Sequence, residues 1–144
     1  MAIPERAKAA LLAAAIVVSA MGLVLGAQAF RPRPPTLTSG IALSLTIEGP
    51  GWTIDFVRND TRNNTVFLFL VEAARTLSFA LVWSNWSPPY SAVFIDAIDG
   101  AWNGEAHRWW VFWVDGAYAN TAADLTVLRG GESILWRFVI PEGG

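Results

Sequence analysis

His107 is the only imidazole in the 144-residue chain, and Asp96, Asp99 and Glu105 are acidic side chains close to it in sequence. Proton transfer or metal ligation would need such groups to converge. Their spacing matches no recognised ligand pattern, and the Asp-x-[Asp/Asn]-x-[Asp/Asn]-Gly signature of a calcium loop is absent. Ser78, Ser84, Ser87 and Ser133 lack the Gly-x-Ser-x-Gly elbow of a hydrolase nucleophile. Gly130-Gly131 precedes an apolar strand rather than a lysine-bearing helix, so it is no phosphate cradle. With no cysteine, thiolate catalysis, thiolate metal sites and disulfides are all excluded. The expectation is a chain that is not an enzyme and has no catalytic residue, resident metal or cofactor.

The side chains with binding chemistry are aromatic. The stretch His107-Arg108-Trp109-Trp110-Val111-Phe112-Trp113-Val114-Asp115-Gly116 concentrates them. On a strand, Trp109, Val111 and Trp113 face one side and Trp110, Phe112 and Val114 the other. Two apolar faces predict a central strand whose rings are mostly core. Burying each such ring contributes about 1.5–3 kcal/mol, which a domain without disulfides needs. Trp109, beside polar His107 and Arg108, is the exception within the set. Trp86, Tyr90 and Trp102 fall in predicted loops where nothing in the pattern demands burial. Those four, Trp86, Tyr90, Trp102 and Trp109, are therefore the candidate ligand or partner anchors. The competing reading is that the loop rings fold back over the open face of the sheet.

The elements that must position these rings follow from periodicity. Ile41 to Ile47 alternates apolar with small or polar residues, and Gly49-Pro50-Gly51 turns it into a second strand, Trp52 to Val57. Arg58 to Asn64 is polar and predicts a loop, with Asn63 or Asn64 capping a helix over about 65 to 75, where Val66, Leu70, Ala73, Ala74 and Leu77 fall at helical spacing. From Thr76 the period becomes two, with Leu77, Phe79, Leu81 and Trp83 on one side. Val93 to Ile98 is a strand closed by Asp99-Gly100, Ala101 to Arg108 a loop, and Ser133 to Ile140 the last strand, entered through Arg129-Gly130-Gly131-Glu132. Strand, strand, helix, then several strands predict an α+β fold: a mixed sheet with one helix across one face.

Ahead of this domain, Ala9 to Ala27 runs 19 positions without a charge, preceded by Arg6 and Lys8 and followed by Arg31-Pro32-Arg33-Pro34-Pro35. Ala27-Gln28-Ala29 has the form of a signal-peptidase site. The run nevertheless exceeds the 7–15 residues of a cleavable core and approaches the ~20 of a membrane span. The expectation is an N-terminal membrane anchor through residues 9–27, with a Pro-rich spacer, covering residues 1–35, and an extracytoplasmic domain over 36–144. Secretion after cleavage near Ala29 is the alternative. Residues 36–144 hold six arginines, no lysine and eleven acidic residues, a formal charge of −5 that argues against nucleic acid as a partner. Three Asn-x-Ser/Thr triplets make Asn59, Asn63 and Asn85 glycosylation candidates and suggest a solvated surface.

Five segments in serial order carry a resemblance. They are Ile95-Asp96-Ala97-Ile98-Asp99-Gly100, Trp109-Trp110-Val111-Phe112-Trp113-Val114-Asp115-Gly116, Ala122-Ala123-Asp124, Gly130-Gly131-Glu132 and Leu135-Trp136-Arg137-Phe138. Together they resemble the transcobalamin-like C-terminal domain family, over about residues 41 to 140. Gly131-Glu132 stands where that family's pattern has Gly-Asp. The resemblance implies a β-grasp-like fold of the kind found in exported or lipid-anchored proteins and in the β-domain of cobalamin carriers. In the carriers a large helical domain forms the other wall of the corrinoid site, so the resemblance does not imply tight cobalamin binding by this chain alone. Two functions remain open. One is a non-catalytic, membrane-anchored extracytoplasmic binding or interaction domain for a small molecule, glycan or protein. The other is a structural subunit of a cell-surface filament or membrane complex, reached through a protein partner or self-assembly.

Overall fold

The structure, a computed structural model, describes residues 39–86 and 91–141. The segment Ala9 to Ala27, most of the spacer and Tyr90 lie outside the described residues. Among the described residues no helix is long and apolar enough to cross a membrane.

Alternation works as expected in the first strand. β1 (Ile41–Gly49) turns Leu43, Leu45 and Ile47 into the core, each at most 2% exposed. Its antiparallel neighbour β2 (Trp52–Thr61) runs from the pair Gly49↔Trp52 to the pair Ile41↔Thr61, with a register shift between Ile41 and Leu43. This corrects the predicted loop at Arg58 to Asn64, whose first four residues are strand. Their polar side chains are compatible with that because β2 is an edge strand and several of them pair with the helix. Arg58 Nε lies 3.0 Å from Glu72 Oε1, and the Thr61 hydroxyl donates to Glu72 Oε2.

α1 (Val66–Leu77) is capped by Thr65, whose hydroxyl accepts from Leu68 N at 3.2 Å, rather than by Asn63 or Asn64. Asn63 instead donates its side-chain amide to Glu72 Oε2 at 2.8 Å. The helix buries Val66, Phe69, Leu70, Ala73 and Ala74. It also runs two residues further than the spacing predicts, which displaces the start of the next strand. Arg75 in the last turn complements the helix dipole, the Thr76 hydroxyl bonds back to Glu72 O, and Ser78 closes the end in the left-handed region at φ 60°. The period-two pattern therefore begins at β3 (Leu81–Asn85), not at Thr76.

β3 pairs with β4 (Val93–Ile98), and β4 with the two-residue β5 (Ala101–Trp102), giving a three-stranded antiparallel sheet. Trp102, expected in a loop, thus sits on a short strand. Asp99-Gly100 makes the β4–β5 turn with φ of 46° and 82°, both positive as a two-residue hairpin of the primed type requires. Asp115-Gly116 repeats the device, at 49° and 78°, between β6 (Trp109–Val114) and β7 (Ala117–Tyr118). The last strand, β8 (Ser133–Val139), is parallel to β1 and antiparallel to β6, so the second sheet runs β2-β1-β8-β6-β7 and is mixed.

The central strand is β8, not β6 as its two apolar faces predict. β6 has only the two-residue β7 on its other side, and only Trp110 and Phe112 are buried. The outward ring of Trp113 is covered by other means. Tyr118 meets it edge-on at 5.6 Å and the Arg137 guanidinium lies 5.8 Å above it. Arg137 is itself bonded to Glu48 across β8 and β1. In the turn before β8, the Glu132 carboxylate accepts from Arg129 N and Gly130 N, so the longer acid serves the turn that the family pattern builds with aspartate.

Candidate functional site

The sequence places Phe94 between Val93 and Ile95, and the strand turns it outward with Asp96 on the polar face of β4. An outward phenylalanine on that face has neighbours of its own kind. Trp86, just beyond β3, donates its backbone N–H to Ala92 O at 2.8 Å, closing the connection between β3 and β4. Its ring centroid lies 6.0 Å from that of Phe94, which in turn lies 6.5 Å from Trp109 at the start of β6. Two of the four predicted anchors, Trp86 and Trp109, are thus joined into one row by a residue the sequence reading did not single out. Trp86 is 56% and Trp109 41% exposed, so the row offers ring surface to solvent. Trp102 is 48% exposed on β5, and among the described residues no ring contact joins it to the row.

Next to the row, the small sheet and the β6–β8 part of the large sheet leave a cleft of about 260 Å³. Trp86 and Phe94 line it on one side, Trp110, Phe112 and Trp136 on the other, and Tyr118 borders it as well. No charged side chain is in its wall among the described residues. Thr121, which also lines it, is engaged with the Thr126 hydroxyl at 2.8 Å.

Side-chain hydrogen bonds tie the two sheets together beside the cleft. Asn103, in the turn after β5, donates Nδ2–H to Ile95 O at 2.6 Å and accepts from Trp110 N at 2.8 Å, tying β4 to β6 where their backbones do not pair. Asp124 adds a second tie by accepting the Val93 N–H at 3.0 Å. Ala122-Ala123-Asp124 is the small-residue segment of the sequence pattern, and the carboxylate is the part of it that bonds the cleft's wall.

Two buried tryptophans in the cleft differ in a way that bears on its chemistry. Trp110 Nε1 donates to Ala101 O at 2.8 Å. Trp136 Nε1, in a residue only 3% exposed, has no hydrogen-bond partner among the described residues. Its ring stacks at 4.8 Å on Phe112, which fixes the indole without satisfying its N–H.

The polar candidates do not converge. His107 is exposed in a 3-10 turn, Glu105–His107, with φ of 60°. Asp96 accepts from Ser84 Oγ at 3.3 Å, and Asp99 sits in the hairpin turn. Among the described residues no group of three or more histidine, aspartate or glutamate side chains is arranged to hold a metal ion. Ser133 Oγ lies 2.9 Å from Ser44 Oγ, partnered across two strands. Of the glycosylation candidates, Asn59 is exposed on the edge strand β2 and Asn85 is exposed at the end of β3. Asn63 is half-buried with its side-chain amide bonded to Glu72.

Sequence reasoning missed Phe94 and Trp136. A signal for the first existed: an aromatic ring at i−2 from Asp96 on the polar face of an amphipathic strand. For Trp136 there was none, because an indole on a core strand gives no sign of whether its N–H finds a partner.

With this geometry in hand, comparison with known proteins places the chain among others. Residues 80–139, from just before β3 to the end of β8, match the family described as "Domain of unknown function (DUF4430)". No curated protein matches the sequence. Among solved structures, the chain is similar to a protein from Ruminococcus gnavus ATCC 29149 described as a "putative metal binding protein". The two share 21% identity at a TM-score of 0.51, over 72% of this chain and 99% of that one. It is also similar to haptocorrin in complex with Cbi, at 20% identity and a TM-score of 0.54 over 73% of this chain. The matched part spans 26% of the haptocorrin chain. At these identities the likeness is one of fold, and at that level the transcobalamin-like resemblance read from the sequence is shown.

Proposed function

We propose that this chain is a non-catalytic binding domain of β-grasp-like architecture that takes a small molecule in the cleft between its two sheets, with Trp86, Phe94 and Trp109 at its entrance. The observation that carries this reading is the cleft itself: a preformed apolar concavity walled by aromatic rings, the usual anatomy of a small-molecule site. Residues 9–27 anchor the domain to a membrane and residues 36–144 stand outside it. The carriers' use of such a domain as one wall of a larger site agrees with this reading, as does haptocorrin's capture in complex with Cbi. A corrinoid far exceeds a cleft of about 260 Å³, so the chain alone does not bind one tightly. Metal binding, the description attached to the Ruminococcus gnavus protein, has no support from the side chains described here.

The structural-subunit reading has one observation in its favour, the long edge of β2, which among the described residues has no further strand paired to it. Asp55, Arg58 and Asp60 lie along that strand, and charged edges discourage strand addition. The binding reading is therefore preferred.

The test is a titration of the full chain, extracted in mild detergent, with a panel of aromatic small molecules, oligosaccharides and corrinoids. Tryptophan fluorescence is the readout. A response to a small aromatic that disappears in Phe94→Ala supports the cleft. Sub-micromolar corrinoid binding, or a stoichiometric assembly with no response to any ligand, overturns it. The anchor is tested separately by mass spectrometry of the mature N-terminus, where a chain beginning at Phe30 would establish secretion.

A further inference from the structure

Resting on the cleft reading, we infer that its ligand presents two consecutive peptide groups around one residue, in extended form, and that these bond to the facing backbone edges of β4 and β6. The cleft wall takes in runs of successive residues, Val93-Phe94-Ile95 and Trp110-Val111-Phe112. Successive side chains on a strand point to opposite faces, so what the cleft meets on both strands is the edge. Which backbone groups lie on those edges follows from the ladders, because an antiparallel strand turns alternate residues toward each neighbour. On β4, Trp86 N–H bonds to Ala92 O and Ser84 pairs with Phe94, so Phe94 is turned to β3 while Val93 and Ile95 turn away from it. On β6, Asp115 N–H bonds to Ser133 O, which sets Trp109, Val111 and Trp113 toward β8 and leaves Trp110 and Phe112 turned away.

The outer groups on these edges are taken. At one end, the Asn103 carboxamide donates to Ile95 O at 2.6 Å and accepts from Trp110 N at 2.8 Å, as a single peptide group of an intervening strand would. At the other end, Asp124 Oδ1 accepts from Val93 N and Ala119 N donates to Phe112 O, both at 3.0 Å. Between those ends, Ile95 N–H and Val93 O on β4, and Trp110 O and Phe112 N–H on β6, have no hydrogen-bond partner among the described residues. Their order decides the chemistry. β4 runs toward the Asn103 tie and β6 away from it, so beside Asn103 a donor on β4 faces an acceptor on β6, and one step on an acceptor faces a donor. Successive peptide groups of an extended chain alternate in that way, each directing C=O to one side and N–H to the other. Two such groups complete the set whichever way the ligand runs, and a third would meet Asn103 or Asp124. No charged side chain is in the wall among the described residues, so the ends of the ligand are neutral: a free ammonium or carboxylate would be buried without a partner. A cavity of about 150 Å³ holds benzene, so about 260 Å³ suits an amino acid blocked at both ends.

The probes are N-acetyl-valine N-methylamide, which carries both peptide groups; N-acetyl-valine methyl ester, which keeps both carbonyls and loses one N–H; and naphthalene, which has neither. Each is titrated into the 15N-labelled full chain in detergent, up to its solubility limit. With the diamide, the backbone amide resonances of Ile95 and Phe112 should move downfield. The ester should bind about fivefold more weakly, within the range of a single neutral hydrogen bond. In the free chain, the amides of Ile95 and Phe112 should exchange with deuterium faster than those of Phe94 and Val111, which the ladders hold, and the diamide should slow them. Equal affinity for diamide and ester, or amides at Ile95 and Phe112 that neither shift nor gain protection at saturation, overturns the inference. Naphthalene binding without diamide binding also overturns it and leaves the cleft as a binding site. No response to any probe at any lining residue overturns both.

Discussion

The helix-covered end of the domain and the flank formed by the three-stranded sheet draw on the same apolar residue types and put them to opposite use. Under α1, Leu45, Ile47, Phe69, Leu70 and Ile134 are at most 2% exposed, and Phe56 meets Phe69 at 5.4 Å. On the other flank, Trp86, Trp102 and Trp109 keep between 41% and 56% of their surface in solvent. One helix is long enough to cover only part of one face. Where it lies the core is closed, and where it ends the sheets are tied by a few polar bonds and large rings remain open. Burial at one end supplies the stability that lets the other end leave apolar surface unburied.

Substitutions can break this contrast, beginning with those of greatest effect. Trp110→Asp would bury a carboxylate where an indole now lies 6% exposed and bonded to Ala101 O, and no folded protein should be recovered. A cooperative melt by circular dichroism would refute it. Phe69→Ala, at the closed end, should cost about 3–5 kcal/mol in chemical denaturation. Asn103→Ala leaves Ile95 O and Trp110 N without their side-chain partner, and about 2–3 kcal/mol should be lost. Hydrogen exchange should speed up in β4 and β6 before it does in β1; uniform acceleration would mean that the amide does not tie the sheets. Ala106→Gly should stabilise by about 0.5 kcal/mol, because Ala106 sits at φ 49° and glycine relieves that conformation at some cost in unfolded-state freedom. Trp86→Ala should change stability by no more than about 0.5 kcal/mol while abolishing any fluorescence response to a cleft ligand. A loss as large as that of Phe69→Ala would mean that the open flank is core after all.

Local chemistry was legible in the sequence and pairing order was not. Asp99-Gly100 and Asp115-Gly116 were legible as turns because both turn positions take positive φ, but β5 and β7, the two-residue strands that make them hairpins, were not. The alternation of β1 and the helical spacing from Val66 were legible for the same reason. The rank of β6 was misread, since two apolar faces record only that both are covered. Tyr118 and Arg137, which come from β7 and β8, cover the outer one without a further long strand. Trp86 and Trp109 were singled out because a loop and a polar flank left them no reason for burial. The cleft that Trp86 lines also needs Phe94 and Trp136, and their meeting across two sheets depends on the non-local order of strands.

That order has a consequence for how the chain acquires its structure. β8 is the last strand in sequence and the middle strand in space, inserted between β1 and β6, with side chains such as Ser44 and Ser133 meeting across a separation of 89 residues. The large sheet is therefore split until nearly the whole domain has been synthesised. Closure over so long a loop makes folding slow, and until it happens β1 and β6 each present a bare edge with apolar rings alongside. The vacant slot is open meanwhile to the last strand of a neighbouring copy.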